Sequence, residues 1–174
     1  VAATVSAANP GATVIGADFC APMLAEARKR GLSELLVCDG LALPFADNSF
    51  DALTIGYGLR NMADWAAALR EFSRVLKPHG RLVVLDFSLP EHPFLRAPYR
   101  FYLHKVLPVL AGALTGNADA YAYLGDSIER FPSGPKMLEL IRANGFEGVR
   151  WEPQCGGISS VYSGNASPRP VVSE

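Results

Sequence analysis

Asp51-Ala-Leu-Thr-Ile-Gly-Tyr-Gly-Leu-Arg-Asn61 is the stretch around which the chain is organised. It begins as a strand, with Leu53 and Ile55 in an apolar run, and ends in a short loop carrying an arginine beside an asparagine. Gly56 and Gly58 flank Tyr57. Glycines at the end of a strand let a ligand or another backbone approach closely. In an open α/β sheet, ligands bind just outside the carboxyl ends of the strands. This places Arg60 and Asn61 as the residues expected to face a reacting substrate.

The flanking segments supply the α/β order. Upstream, Ala12–Asp18 and Leu35–Asp39 are short β-rich runs, each ending in aspartate. Between them Pro22–Arg30 reads as a helix with Met23, Leu24 and Ala27 on one face and Gly31 as its stop. Leu43–Phe50 is dense in turn residues. Downstream, Asp64 is placed to cap a helix in which Trp65, Leu69, Phe72 and Leu76 form one apolar stripe. Lys77-Pro-His-Gly80 ends that helix. Arg81–Phe87 follows as a strand whose nearly continuous apolar character suits burial on both faces of a parallel sheet. The rhythm then breaks. Residues 93–130 read as a helical insertion, interrupted near Pro108 and Gly112, with a short helix over Tyr123–Glu129. Ser133 opens a further helix, with Met137, Leu138 and Ile141 as its buried face and Gly145 as its stop. Phe146–Pro153 and Ile158–Ser163 form a closing antiparallel pair, and residues 165–174 read as a polar, Pro-rich, disordered tail.

Composition narrows the class. The chain has 174 residues, enough for one domain with a sizeable core. It is 49% hydrophobic and 19% charged, which excludes a disordered chain. Sixteen basic and 17 acidic side chains leave a net charge of −1, so no general attraction to nucleic acid is expected. Cys20, Cys38 and Cys155 lack metal-ligand spacing, as do the histidines at 79, 92 and 104, so no metal site is expected. A reduced cytoplasmic protein with buried thiols is the simplest reading. No run of 18 uncharged apolar residues marks a membrane span, and no basic-then-apolar leader opens the chain. Residues 1–8 read as the tail of a helix, a start that anticipates chain upstream.

Several segments together carry a specific resemblance. They are Gly16-Ala-Asp-Phe19 with Met23-Leu24, Leu43-Pro-Phe-Ala-Asp-Asn-Ser-Phe-Asp51, Gly58-Leu-Arg-Asn61, Ala68-Leu-Arg-Glu71, Arg74-Val-Leu-Lys-Pro78 and Asp86-Phe-Ser-Leu-Pro90. Tyr121-Ala-Tyr-Leu-Gly-Asp-Ser-Ile128, Phe131-Pro132 and Gly156-Gly-Ile158 extend it. In unbroken order over about residues 10–164, the chain resembles the UbiE-type quinone-biosynthesis C-methyltransferases. The resemblance implies a class I methyltransferase (Rossmann-like) sheet with helices on both faces, binding S-adenosylmethionine. It implies methylation of a ring carbon of a prenylated benzoquinol or naphthoquinol on the ubiquinone or menaquinone pathway. Residues 1–164 would form a partial methyltransferase domain, with about 93–130 as a lid over the substrate. By match of motif, Asp18 would hold the cofactor ribose, with Phe19 also on the cofactor. Asp39 and Gly40 would lie beside the adenine, with Gly56 and Tyr57 close by. Gly56 stands where relatives often have serine, Cys20 where they usually have a capping serine, and His79 where a Lys-Pro-Gly-Gly turn usually has glycine.

The chemistry makes its own demands. Carbon methylation needs an electron-rich ring carbon, which a quinol supplies best as its phenolate. Arg60 remains protonated and suits oxyanion stabilisation or the positioning of a water better than proton removal. Asn61 could hold Arg60 or bind a ring oxygen. Tyr57, Tyr102, Tyr121 and Tyr123 are candidates for an aromatic quinol pocket. The segment 94–114, apolar with interspersed basic residues, suits peripheral contact at the inner face of a membrane. A homodimer or a quinone-biosynthesis complex is open.

One departure weighs against the enzyme. The family's first strand and its glycine-rich loop precede the first residue of this chain. In the family's sheet order, 3-2-1-4-5-7-6, that strand is central, and the strands ending at Asp18 and Gly56 lose their shared neighbour without it. The alternative reading is therefore a catalytically inactive quinone-binding or assembly protein. A nucleotide-dependent dehydrogenase would need GxGxxG, which is not present.

Overall fold

The computed structural model describes residues 2–110 and 118–168. Gly112, and the tail beyond Pro168, lie outside them. The element order is α1 (Ala2–Ala8), β1 (Gly16–Asp18), α2 (Ala21–Lys29), β2 (Leu35–Val37), β3 (Phe50–Gly56), a 3-10 turn (Leu59–Asn61), α3 (Trp65–Val75), β4 (Leu76–Phe87), α4 (Pro93–Phe101), a π turn (Tyr102–Val106), α5 (Ala118–Arg130), α6 (Pro135–Ala143), β5 (Phe146–Gln154) and β6 (Ser159–Ala166).

The strands form two sheets. β1 pairs with β2 in parallel, Gly16 with Leu35 and Asp18 with Val37. The second sheet has the order β3-β4-β6-β5, with β3 parallel to β4 and β6 antiparallel to both its neighbours. Among the described residues no strand pairs β1 with β3. These are the two strands that the family's first strand would join, so the division falls where the family order predicts it. β3 is accordingly an edge, with Asp51, Ala52, Thr54 and Gly56 exposed.

Local chemistry accounts for most boundaries. The Asp64 carboxylate accepts from the Ala67 amide at 2.9 Å and caps α3. Leu69, Phe72 and Leu76 are buried on the predicted stripe, with Trp65 packed against Phe131 at its start. They meet Leu82 and Val84 of β4, Met137 and Ile141 of α6, and Tyr162 of β6 in one core. The loop before β3 is pinned by Arg74. Its guanidinium donates to the Leu43 and Phe45 carbonyls, to Asp47 Oδ1 at 2.8 Å and to both oxygens of Glu71, while Glu71 also accepts the Leu43 amide.

Several expectations are corrected. The thiols are not buried: Cys20 and Cys155 are exposed and Cys38 is partly covered. Cys20 stands at the N-cap of α2 and makes no side-chain cap bond, as its thiol predicts. Met23 is exposed and only Leu24 of that helix is buried, because β1 and β2 offer α2 a narrow surface. The helical segment is interrupted near Pro108, as expected. The distortion lies just before it, in the π turn, where the missing proline amide and a widened turn coincide. α5 is already helical at Ala118, five residues before the helix that the sequence suggests. Gly134, not Ser133, precedes α6, at φ 58°, and donates its amide to the Tyr162 hydroxyl. β6 continues to Ala166: Asn165 pairs with Arg81 and Glu147, and Ala166 with Phe146, so these two residues are strand and not tail.

His79 occupies the left-handed region at φ 63°, in the turn before the main run of β4, with its imidazole 3.4 Å from Glu147 on the surface. A Cβ is strained there by roughly 1–2 kcal/mol. Glycine would relieve that strain but give back part of the gain through a freer unfolded chain. His79→Gly is expected to raise the unfolding free energy by about 0.5–1 kcal/mol, read as a higher urea midpoint at unchanged slope.

Candidate active site

The end of β3 turns sharply. The Tyr57 amide continues the ladder by donating to the Leu85 carbonyl at 2.7 Å, and Tyr57 then takes φ 57°. This reversal aims its own carbonyl back at the turn that follows. Leu59 of that turn is fully buried and anchors it in the core. Arg60 and Asn61 are thereby presented at the strand's carboxyl end.

Arg60 is not a free cation. Its Nη1 donates to the Tyr57 carbonyl at 2.6 Å and to Asp86 Oδ1 at 2.7 Å, and its backbone amide donates to Asp86 Oδ2 at 3.2 Å. Its guanidinium carbon lies 5.1 Å from the Phe87 ring centre. The Arg60 side chain is 10% exposed and that of Asp86 0%. Asp86 also accepts the Phe87 amide. Asn61 is exposed, and its Nδ2 reaches the Tyr57 carbonyl at 3.5 Å. Tyr57 packs on Phe87, ring centres 4.6 Å apart. In the sequence Asp86 stands out only as part of a motif. The signal that could have found its role is an acid in a nearly continuous apolar strand, since buried carboxylates are almost always paired.

The two strand-end carboxylates are both turn formers. Asp18 Oδ1 accepts the Cys20 amide and Asp39 Oδ1 the Leu41 amide, at 2.8 and 2.9 Å. Neither Oδ2 has a hydrogen-bond partner among the described residues. Both charges lie near Cys38, whose thiol is pushed up first by burial and then by Asp39 and Asp18. Phe19 beside them is 80% exposed. Gly40 backs onto Met62, directly after Asn61, which ties the Asp39 loop to the turn that carries Arg60.

The tyrosines named for an aromatic wall sit on separate elements. Tyr102 is exposed on the π turn and stacks with Tyr99. Tyr121 and Tyr123 stand two apart on α5, one half-buried and one exposed. Residues so spaced do not share a helix face. α5 packs on the Leu59–Asn61 turn and is tied to the segment before it by Arg100 and His104, both directed at Glu129. Arg100 leads in holding the Glu129 carboxyl below its ordinary range. A separate cavity of about 190 Å³ lies beyond the end of β4, lined by Leu89, Glu91, His92, Trp151, Pro153, Gly156 and Gly157.

Residues 1–166 match the model of the ubiE/COQ5 methyltransferase family. The chain belongs to that family. A demethylmenaquinone methyltransferase of Thermus thermophilus is 47% identical over 161 residues, 90% of this chain and 73% of the relative. One of Corynebacterium urealyticum is 44% identical, over 92% of this chain and 70% of the relative. Among solved structures, a SAM-dependent methyltransferase of Thermotoga maritima is 25% identical at a TM-score of 0.62, covering 87% of this chain and 72% of that one. The ubiE/COQ5 membership makes the chain a SAM-dependent methyltransferase with the class I α/β fold. The Gly58-Leu-Arg-Asn61 segment that carries the resemblance is the turn described above, and the Asp86-Phe-Ser segment supplies that turn's buried partner.

Proposed function

We propose that the chain methylates a ring carbon of a demethylmenaquinol-type prenylated naphthoquinol, using S-adenosylmethionine. The observation that carries this reading is the identity of 42–47% to demethylmenaquinone methyltransferases over 90% or more of the chain. Those relatives favour an enzyme over an inactive assembly protein.

The residues present fit the cofactor. Asp18 and Asp39 each hold one carboxylate oxygen in a turn and leave the other for hydroxyl or amine donors. The exposed Phe19 ring beside them offers a face to the adenine, and Gly40, Gly56 and Tyr57 would flank it. When bound, the cofactor supplies an electrophilic methyl on a sulfonium that leaves readily. Arg60 and Asn61 bind and orient a quinol oxygen so that the phenolate form, which feeds electrons to the ring, is favoured. Tyr57 and Tyr102, with one of Tyr121 and Tyr123, flank the flat ring.

The test is transfer of labelled methyl from S-adenosylmethionine to a short-chain demethylmenaquinol, alongside calorimetric cofactor binding. Methylation at the ring carbon is the expected result. Cofactor binding with no transfer to any naphthoquinol or benzoquinol would leave the assembly reading standing.

A prenylated substrate also fits peripheral membrane contact. No α4 side chain is fully buried; Phe94, Leu95 and Phe101 are exposed along it and Tyr102 on the π turn that follows, with Arg96 and Lys105 nearby. No helix of the described residues is long and apolar enough to cross a membrane. Co-flotation with anionic vesicles, weakened by Phe94→Ser with Phe101→Ser, is the expected outcome; equal flotation of both proteins would remove this face from consideration.

A further inference from the structure

The guanidinium of Arg60 has two working edges, and the protein uses one. Nη1 is committed to the Asp86 carboxylate and the Tyr57 carbonyl. Nε and Nη2 lie on the side-on edge, where their N–H bonds run parallel and suit two-point donation to oxygen. Nε is buried and has no partner, and the Arg60 hydrogen bonds among the described residues run from Nη1 and the backbone amide, not from Nη2. Buried donors in folded proteins are nearly always satisfied, so an orphan of this kind marks a place where a ligand or water completes the bonding.

The geometry points to Asp86 as the positioning residue of the site. It clamps Nη1 and the Arg60 amide and leaves the Nε–Nη2 edge uncommitted, as a preformed fork for one oxygen of the aromatic diol. Three observations converge on this. The Asp86 carboxylate is fully buried and its accepted bonds fix two separate atoms of Arg60. The Phe87 ring supports one face of the guanidinium and limits its tilt. Tyr57 takes a left-handed conformation that turns its carbonyl onto Nη1, so the backbone too serves to close that edge. Because Asp86 offsets the arginine charge, the fork acts through direction more than through net attraction. It therefore gains most when charge accumulates on the bound oxygen. This deepens the reading given under Proposed function and rests on it for the identity of the oxygen.

The experiment uses the full chain labelled with nitrogen-15. The Arg60 Nε–H signal is assigned by its loss in Arg60→Lys, and naphthalene-1,4-diol, kept reduced, is titrated in. The expected result is movement of the Arg60 Nε–H signal in the wild type. In Asp86→Asn the movement should be lost or need roughly tenfold more diol, because the amide cannot accept at both oxygens. The same variant is expected to lower kcat by about 10²-fold with cofactor affinity unchanged, and Asp86→Glu is expected to restore part of it. An Arg60 Nε–H that stays put at millimolar diol in the wild type overturns the assignment, as does equal loss of turnover and cofactor affinity in Asp86→Asn. Movement of the signal in a wild type that transfers no methyl to naphthoquinols would instead refute the substrate reading and leave the fork in place.

Discussion

Asp86→Ala is expected to lower the unfolding free energy by about 3–5 kcal/mol, a large loss for a single substitution. The carboxylate is fully buried and accepts from Arg60 Nη1, the Arg60 amide and the Phe87 amide. Truncation leaves those donors without an acceptor and leaves a guanidinium nine-tenths buried with no counter-charge. Most of the cost is the stranded charge rather than the worth of the pair. Adding Arg60→Met should therefore recover a large part of the loss, since a methionine of similar length carries no charge to strand. Urea unfolding of the two single variants and the double variant measures the coupling. Strictly additive losses would show that the pair is not energetically coupled. Recovered stability without recovered turnover would separate holding the loop together from doing its chemistry.

Arg74→Met should cost about 2–3 kcal/mol. Arg74 is partly exposed, which tempers its ion pairs. However, its bonds to the Leu43 and Phe45 carbonyls shape the loop that leads into β3, and no methionine atom replaces them. This variant also has a pH signature. The hydrogen bond from Arg74 is the first cause holding the Glu71 carboxyl below its ordinary value of 4.5. A depressed folded pKa contributes stability that is present above pH 4.5 and lost as pH falls through the lowered value. The gap in stability between wild type and Arg74→Met should therefore narrow below that pH. A gap that is constant from pH 7 to pH 3 would assign the loss to the carbonyl contacts alone.

Much of the site is legible in the amino-acid sequence. The glycines around Tyr57 and the arginine–asparagine pair mark the loop. The aspartates at the ends of two successive strands mark the proposed cofactor side, and in the fold they close or follow the paired strands β1 and β2. What the sequence does not reveal is how Arg60 is held. Asp86 stands 26 residues away and becomes its partner only because β3 and β4 run in parallel with Gly56 beside Leu85. Read locally, Asp86 is one more acid at the end of a strand. The sequence also does not show how the four candidate tyrosines are arranged: Tyr121 and Tyr123 are near in sequence, but a helix places them on different faces. Asn165 and Ala166 look like tail by composition and are strand because β4 and β5 present open backbone groups to them.

Local rules determined the order of strands and helices, the cap at Asp64, the stripe on α3 and the family motifs, since each depends on residues within a turn or two of one another. The division into two sheets and the place of β6 between β4 and β5 follow the sheet order that the resemblance implies; tertiary structure alone decided the Arg60–Asp86 pair and the backbone bonds that hold it. These depend on register and burial. A charge is committed to a partner only when both leave water together, and no spacing along the chain states which distant group will be there.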